Sequence, residues 1–172
     1  KVMLEGMLKG SLKNTVKGSL KASLQVIGLL VTMLMTIFSQ PVLAKANPDE
    51  KILFILSADK HGYFLPEVVE PYQHIVDSGY QVEFASPNGS IGYPSARAQL
   101  SEQELTDYKL LKQQSNIDQP IPLKEVKSKH YAAFFIPGGA GPMFDLPGHP
   151  EITRLSLDFL AEDKIIAAVC HG

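Results

Sequence analysis

The only cysteine of this 172-residue sequence stands in the motif AAVCHG, at residues 167–172. Small apolar residues precede Cys170 and His171 follows it directly, so a thiol and an imidazole are adjacent in the chain. A cysteine at the end of a buried strand is typical of a nucleophile elbow, a sharp strand-to-helix turn that presents a reactive side chain. A helix after the turn would place its positive N-terminus beside the sulfur and favour the thiolate. The alternative is a buried thiol with a structural role, the commoner fate of a free cysteine, but the position at a strand end favours a nucleophile.

A carboxylate and a glycine-rich loop could assist such a nucleophile. Glu67 follows the first predicted strand after a short loop, in HGYFLPE, and a carboxylate there could transfer protons. The simpler interpretation is a solvated glutamate in the first turn of a helix. The segment IPGGAG at 136–141 contains Gly138 and Gly139, whose backbone N–H groups could stabilise an oxyanion. A glycine pair alone more often marks only a turn, so this prediction depends on the loop lying beside Cys170.

The other histidines and the missing motifs narrow the class of site. Of the histidines outside AAVCHG, we expect only His61, in the loop after the first strand, to lie near the site. Ordinary structural positions are predicted for the rest, which are His74, His130 and His149. The sequence has no Cys-His cluster with zinc-ligand spacing, no nucleotide fingerprint and no P-loop lysine, so neither a metal nor a nucleotide is expected.

The charge is distributed unevenly along the chain. Six of the sixteen basic residues and one of the eighteen acidic residues lie in 1–46, which leaves ten basic and seventeen acidic side chains in 47–172. The resulting net charge of −7 in this larger part would repel a phosphate backbone, so binding to a nucleic acid is not expected.

Hydrophobic patterning predicts strands that alternate with helices. Four buried strands are predicted, at Lys51–Leu56 (KILFIL), Tyr80–Ser86 (YQVEFAS), 131–139 (YAAFFIPGG, ending in a glycine turn) and 164–169 (KIIAAV). Helices are predicted at Pro66–Gly79, from the capping box SEQE at 101–104 onward, and at 149–163. Pro71 predicts a kink in the first helix or a later start, and Gly79 predicts a C-terminal cap.

This alternation is typical of an α/β fold with a doubly wound parallel sheet. Ligands of such sheets bind at the carboxyl ends of the strands. The loops SADKHG, PGGAG and CHG each follow a predicted strand, so we expect them to converge at one edge of the sheet.

Residues 1–46 have the parts of a secretory signal peptide. A basic segment leads to the uncharged stretch VIGLLVTMLMTIF at 26–38, and small residues suit cleavage after Ala44 or Ala46. The alternative is an uncleaved membrane anchor, although this stretch is shorter than the roughly 20 residues that span a bilayer. We therefore expect the domain at 47–172 to be exported, to the periplasm of a bacterium, or else to be anchored to the inner membrane. Met3 or Met7 is a candidate for the natural start of the chain.

Several motifs together resemble one family. KILFIL, GYFLPEVVEPY, YQVEFASPNG, YAAFFIPGGAGPMFDLP and AAVCHG are similar to segments of the ThiJ/PfpI superfamily, relatives of class I glutamine amidotransferases with a flavodoxin-like sheet. The patterns G-x-F-x-x-E, with P-Y four residues beyond, and G-x-x-F-D after the third strand look most like the chaperone-type glyoxalase III branch. The resemblance covers about residues 50–172 and implies a flavodoxin-like sheet with a nucleophile elbow.

The resemblance implies conversion of methylglyoxal to lactate without glutathione, metal or organic cofactor. Carried over to this sequence, Cys170 would add to the aldehyde carbon as a hemithioacetal, and Glu67 would hydrogen-bond the thiol and transfer protons. His171 would act as base or proton shuttle. The oxyanion would be held at Gly138 and Gly139 and by the backbone N–H of His171. Some members of the branch are chaperones or deglycases, and members are commonly homodimers.

Other outcomes stay open at this point. The branch usually has an acidic residue beyond the elbow that orients the histidine; this sequence stops at Gly172, so we expect a C-terminally truncated, poorly active piece. An amidotransferase-like amidase or a cysteine peptidase would use the same elbow, although the adjacent His171 favours the glyoxalase branch. A non-enzymatic redox-sensing or holdase protein would instead have Cys170 oxidised to the sulfinic acid.

Overall fold

The computed structural model describes residues 50–172 of the chain. Within that range the strands are β1 (Lys51–Ile55), β2 (Tyr63–Phe64), β3 (Gln81–Ser86), β4 (Pro94–Ser95), β5 (Ile121–Pro122), β6 (Tyr131–Ile136) and β7 (Ile165–Ala168). The α-helices are α1 (Pro66–Asp77), α2 (Glu102–Gln114), α3 (Pro142–Asp145) and α4 (Pro150–Ala161). Short 3₁₀ turns lie at Arg97–Gln99, Leu123–Glu125 and Ser128–His130.

Five strands form one parallel sheet in the order β5-β3-β1-β6-β7. Phe54 of the central strand β1 lies opposite Phe84 of β3 on one side and opposite Phe135 of β6 on the other. The chain first adds β3 and β5 on one side of β1, and then returns to add β6 and β7 on the other side. This is the doubly wound, flavodoxin-like α/β sheet that the sequence predicted. Its switch point lies between the carboxyl ends of β1 and β6.

Apolar side chains cover both faces of β1, because successive residues of a strand point to opposite sides. On one face, the ring of Phe54 packs edge-to-face on Phe84, with the centroids 5.4 Å apart, in a core shared with α1. On the other face, Leu53 and Ile55 lie in a second core with Phe159 of α4. Burial on both faces explains why the sequence of β1 is continuously apolar rather than alternating.

Helix α1 begins at Pro66 and continues past Pro71 to Asp77, so the predicted later start is wrong. Proline suits the first helical position, where the N–H has no intrahelical acceptor. Pro71 removes one backbone hydrogen bond inside the helix. The helix is held there by its buried face, which comprises Val68, Val69 and Tyr72.

The predicted helix signals are confirmed at two ends. After α1, the backbone N–H groups of Gly79 and Tyr80 donate to carbonyls of the last turn at 2.9 and 3.2 Å, the pattern of a Schellman cap. Before α2, Ser101 and Glu104 form the predicted capping box, in which each side chain contacts the backbone N–H of the other residue.

The four predicted strands correspond to β1, β3, β6 and β7, with small shifts at their ends. The short elements β2, β4, β5 and α3 were not predicted, because segments of two to four residues show no periodicity. Strands β2 and β4 pair in a separate parallel ribbon.

The predicted signal peptide or anchor at 1–46 lies outside the described residues. No helix within residues 50–172 combines the length and the apolar character that a membrane span requires.

Candidate active site

The loops after β1 and β6 meet at the switch point of the sheet. The N–H of Gly141 donates to the carbonyl of Gly62, and the N–H of Phe64 donates to the carbonyl of Gly138, both at 2.8 Å. The turn after β7 lies on the same edge, because β7 pairs in parallel with β6. The structure therefore brings together the three loops that were expected to converge.

Cys170 lies in a strained turn after β7. Its backbone φ is +58°, a left-handed conformation that costs a non-glycine residue about 1–2 kcal/mol. The N–H of Gly172 donates to the carbonyl of Val169 at 2.9 Å and closes the turn. The thiol is exposed, and its Sγ lies 3.1 Å from Nδ1 of His171. A thiol on a strained turn at a strand end has the geometry that is typical of a nucleophile elbow.

Glu67 reaches the loop after β6 from the first turn of α1. Its side chain is half-buried, and Oε2 accepts the N–H of Gly138 at 2.8 Å. The carboxylate is therefore more than a solvated residue at a helix start. It is fixed beside the glycine loop, where a carboxylate can exchange a proton with a bound ligand.

Gly138 is the point at which the groups meet. A methyl group there would lie 2.5 Å from Cβ of Cys170, 2.8 Å from Oε2 of Glu67 and 2.9 Å from the backbone N of His171. Each of these distances is shorter than a van der Waals contact allows, so any larger residue would displace one of the three groups. The glycine thus permits Cys170, Glu67 and His171 to face one point of the loop.

Two backbone N–H groups remain free near this point. Those of Gly139 and His171 donate to no protein acceptor in the part of the chain that the structure describes. The N–H of Gly138, in contrast, is taken by Glu67. Of the three positions predicted to hold an oxyanion, Gly139 and His171 offer free donors, whereas Gly138 provides space.

His61 packs against the segment that follows β6. Its ring stacks on Phe144 with the centroids 4.4 Å apart, and Nδ1 lies 2.5 Å from Oδ1 of Asp59. The backbone N–H of His61 donates to the same carboxylate, and this bond is the main reason that the pKa of Asp59 is lowered. Within residues 50–172 no hydrogen bond joins His61 to Cys170.

The remaining histidines have structural positions. His74 and His130 are exposed, and Nδ1 of His149 accepts the N–H of Glu151 at the start of α4. Among the described residues, no group of three His, Cys, Asp or Glu side chains is arranged to hold a metal ion.

Asp145 is the residue at this edge that the sequence analysis missed. Its carboxylate accepts the hydroxyl of Ser57 at 2.8 Å and the N–H groups of Ala58 and Asp59 at 2.7 and 3.1 Å. The residue belongs to the motif G-x-x-F-D, so a signal was present in the sequence. Its partners are more than eighty positions away in the chain, and only the folded loops bring them together.

An apolar cavity of about 400 Å³ opens beside His171. The cavity is lined by Ile136, Pro142, Met143, Leu146, Pro147, Ile152, His171 and Gly172. Its volume lies in the range of small-molecule sites.

Comparisons with known proteins match most of the described part of the chain. The profile of a family described as ThiJ/PfpI family-like matches residues 58–172, more than half of the chain. The chain is 30% identical over 128 residues to the glutathione-independent glyoxalase HSP31 of Saccharomyces cerevisiae, which covers 70% of this chain and 53% of that protein. It is 29% identical over 112 residues to the protein/nucleic acid deglycase HchA of Pseudomonas aeruginosa, with coverage of 62% and 38%.

Solved structures show the same fold. The 24 kDa rapid encystment protein of Francisella tularensis matches with a TM-score of 0.60 and 25% identity, over 71% of this chain and 59% of that one. Glyoxalase III of Candida albicans matches with a TM-score of 0.63 and 21% identity, over 72% and 57%. At 21% identity, the match to the Candida protein shows a shared fold and nothing more. The chain spans about half the length of the curated relatives that it matches.

Proposed function

The chain belongs to the ThiJ/PfpI family, and from that premise we propose that it acts as a glutathione-independent glyoxalase with Cys170 as the nucleophile. The substrate would be methylglyoxal or a similar small 2-oxoaldehyde, and the product would be the 2-hydroxy acid, lactate for methylglyoxal. The name of the yeast relative supports this reaction class. The reaction needs no external oxidant or reductant, because one carbon of the substrate is oxidised while its neighbour is reduced.

One observation carries the proposal: a thiol on a strained turn, a fixed carboxylate and two free N–H donors meet at Gly138. A methyl group at this position would touch Cys170, Glu67 and His171 at once. A nucleophile, a proton carrier and an oxyanion site are the parts that addition of a thiol to a carbonyl group requires.

The first step forms the hemithioacetal. His171, whose Nδ1 lies 3.1 Å from Sγ, takes the thiol proton, and the sulfur attacks the aldehyde carbon. As the C–S bond forms, the electron pair of the C=O π bond moves to the oxygen. The free N–H groups of Gly139 and His171 stabilise that oxyanion until it is protonated.

The second step moves the oxidation state within the substrate. Glu67 or His171 removes the proton from the carbon that bears sulfur, and the electrons shift towards the neighbouring ketone, giving an enediol. A proton then returns to the neighbouring carbon, which becomes an alcohol, while the hydroxyl on the carbon that bears sulfur loses its proton and becomes the carbonyl of a thioester on Cys170. Water then hydrolyses the thioester, which releases the hydroxy acid and restores the thiol, so no external oxidant or reductant is used.

Three further statements belong to the proposal. The name of the Pseudomonas relative suggests that aldehyde adducts on proteins or nucleic acids are worth testing as substrates. We also propose that the complete protein is a homodimer. The basic and apolar composition of residues 1–46 supports export, or anchoring by an uncleaved segment.

The test uses the protein from residue 47 to its natural C-terminus. Loss of methylglyoxal and formation of lactate are followed in the absence of glutathione, for the wild type, Cys170→Ala and Glu67→Gln. We expect Cys170→Ala to abolish turnover. Glu67→Gln should lower kcat at least about 100-fold, because the amide oxygen can still accept the N–H of Gly138 but cannot carry a proton. His74→Gln, at an exposed histidine of α1, is the control that should keep full activity.

Failure of this test has a clear meaning. A folded protein with an intact thiol and no aldehyde turnover would show that the proposal is wrong. Hydrolysis of amide substrates by that protein would then indicate an amidase or peptidase. Holdase activity that is unchanged in Cys170→Ala would indicate a non-enzymatic protein.

A further inference from the structure

The carboxylate of Asp145 ties the start of the β1 loop to the end of the loop after β6. Its Oδ1 accepts the hydroxyl of Ser57 at 2.8 Å, and its Oδ2 accepts the N–H groups of Ala58 and Asp59 at 2.7 and 3.1 Å. Ser57 is fully buried. A carboxylate suits this position, because its two oxygens can accept from three donors, whereas an amide has one acceptor oxygen.

Two backbone hydrogen bonds join the same loops further along. The N–H of Gly141 donates to the carbonyl of Gly62, and the N–H of Phe64 donates to the carbonyl of Gly138, both at 2.8 Å. The loops are in close contact between these bonds, since a methyl group at Gly141 would overlap Oγ of Ser57 and the carbonyl oxygen of Gly62. The segments 57–67 and 137–145 therefore run antiparallel as one hydrogen-bonded ladder.

The other end of this ladder is the reactive end. There Glu67 accepts the N–H of Gly138, and Gly138 lies against Cys170. We propose that Asp145 is a positioning residue that holds Gly138 and Glu67 in place beside Cys170 by fixing the far end of the ladder. Its effect on rate rests on the proposed glyoxalase function, whereas its effect on the ladder can be measured without a substrate.

Small displacements at the reactive end are expected to matter. Misplacement of a reacting group by about 1 Å can cost roughly 100-fold in rate. Within residues 50–172 the carboxylate of Asp145 bonds only to the turn at 57–59, so its removal should leave substrate binding largely unchanged and act on the chemical step.

The kinetic test compares kcat with KM in the full-length protein. Asp145→Ala should lower kcat at least about tenfold and change KM by less than about twofold. Asp145→Asn keeps one acceptor oxygen and should restore part of kcat. The matched control is Asp158→Ala, which removes a carboxylate of α4 that binds Arg154 at 3.1 Å and should change neither constant.

A double-mutant cycle identifies the route of the effect. In a Glu67→Gln background, Asp145→Ala should lower kcat by less than about twofold, because residues that act as a unit are not additive. The proposal would be overturned if Asp145→Ala lowered kcat by the same factor in the wild type and in Glu67→Gln. It would also be overturned if Asp145→Ala lowered only the stability of the protein.

Amide hydrogen exchange tests the ladder directly. In Asp145→Ala, the N–H of Ala58 loses its acceptor and the N–H of Asp59 keeps only Oγ of Ser57, so both should exchange faster. The proposal requires more, namely exchange at Phe64 and Gly138 that is faster by at least about tenfold. Faster exchange confined to Ala58 and Asp59 would show that Asp145 holds only its own turn.

The exchange measurement separates the two proposals. If the wild type shows no aldehyde turnover, the glyoxalase function fails, while exchange at Gly138 still decides the role of Asp145. If Asp145→Ala does not fold, Asp145→Asn and Ser57→Ala provide the same comparison at the same amides.

Discussion

The two sides of the candidate site are built in different ways. The loop after β1 and the first turn of α1, which offers Glu67, are joined to the segment after β6, which offers Gly138. Backbone bonds and two carboxylates, those of Asp145 and Glu67, make the connection. In the elbow at 169–172, the N–H of Val169 donates to the carbonyl of Ile136 at 3.2 Å, and the N–H of Gly172 donates to the carbonyl of Val169 at 2.9 Å. Backbone strain lies on the elbow side, at Cys170.

This difference separates two requirements of nucleophilic catalysis. Stabilising a developing charge requires donors and carboxylates whose positions do not change, which a cross-linked pair of loops provides. Presenting a nucleophile requires a side chain that points away from its own strand, which a strained turn provides at a cost in stability. Substitutions on the loop side should therefore affect rate, whereas substitutions on the elbow side should also reveal the strain.

The largest effect is expected on the loop side, for Gly138→Ala. The added methyl group would lie 2.5 Å from Cβ of Cys170, so the loop or the elbow must move. We expect kcat/KM for methylglyoxal to fall roughly 100-fold or more, as measured on folded protein. A loss of less than about threefold would show that the loops are not held as tightly as their hydrogen bonds indicate.

Gly148→Ala is the matched control for this substitution. No atom lies within 4 Å of the added methyl group, although the φ of +71° strains any residue that replaces the glycine. The control should therefore lower the free energy of unfolding by about 1 kcal/mol and leave kcat/KM unchanged.

An intermediate effect is expected on the elbow side, for Cys170→Gly compared with Cys170→Ala. Both variants lack the sulfur, but only glycine adopts a φ of +58° without strain. The glycine variant should have a free energy of unfolding about 1 kcal/mol higher than the alanine variant, by denaturant titration.

At Ala168, the last residue of β7, we expect the opposite effect of glycine on the free energy of unfolding. Ala168→Gly, at the end of β7, should lower the free energy of unfolding by about 0.5–1 kcal/mol. If Cys170→Ala is instead as stable as Cys170→Gly, the elbow is relaxed and the contrast between the two sides is lost.

The smallest effect is expected outside both sides of the site, at the capping box of α2. Ser101→Ala should lower Tm by a few degrees and leave activity unchanged. The hydrogen bond from the Ser101 side chain holds the pKa of Glu104 below its ordinary value of 4.5. The stabilisation by the ionised Glu104 is therefore fully present above pH 4.5 and is lost as the pH falls through the lowered pKa.

The difference in Tm between wild type and Ser101→Ala should consequently narrow as the pH falls below 4.5. Ser156→Ala, in the middle of α4, should give a difference that does not depend on pH. A constant difference for Ser101→Ala would show that the cap acts without the ionised Glu104.

Local patterns in the sequence were enough to predict the elements that carry the site. Continuous apolar runs identified β1 and β6, and the small residues before Cys170 identified a strand with a reactive end. The sequence of α1 was harder, because Pro71 opposes a helix locally while burial of Val68, Val69 and Tyr72 stabilises one. Whether such a segment is helical depends on its packing against the rest of the protein, which a local sequence pattern does not reveal.

Contacts between distant segments were beyond local patterns. The motif G-x-x-F-D marks Asp145 as a residue of interest, but it does not say that its carboxylate accepts bonds from the turn at 57–59. Likewise, the N–H of Gly138 donates to Glu67, which lies seventy-one positions earlier in the chain. Such features follow from the crossovers of a parallel sheet, which bring together residues from different βα units.

The position of β7 in the sheet has a consequence for synthesis of the protein. Cys170 follows the last described strand, which pairs only with β6, whereas Glu67 and Gly138 belong to segments that leave the ribosome earlier. At about 5–20 residues per second, Cys170 is added a few seconds after Gly138. The loops with Glu67 and Gly138 can therefore fold before Cys170 arrives, so the thiol joins a site in which these two groups are already in place.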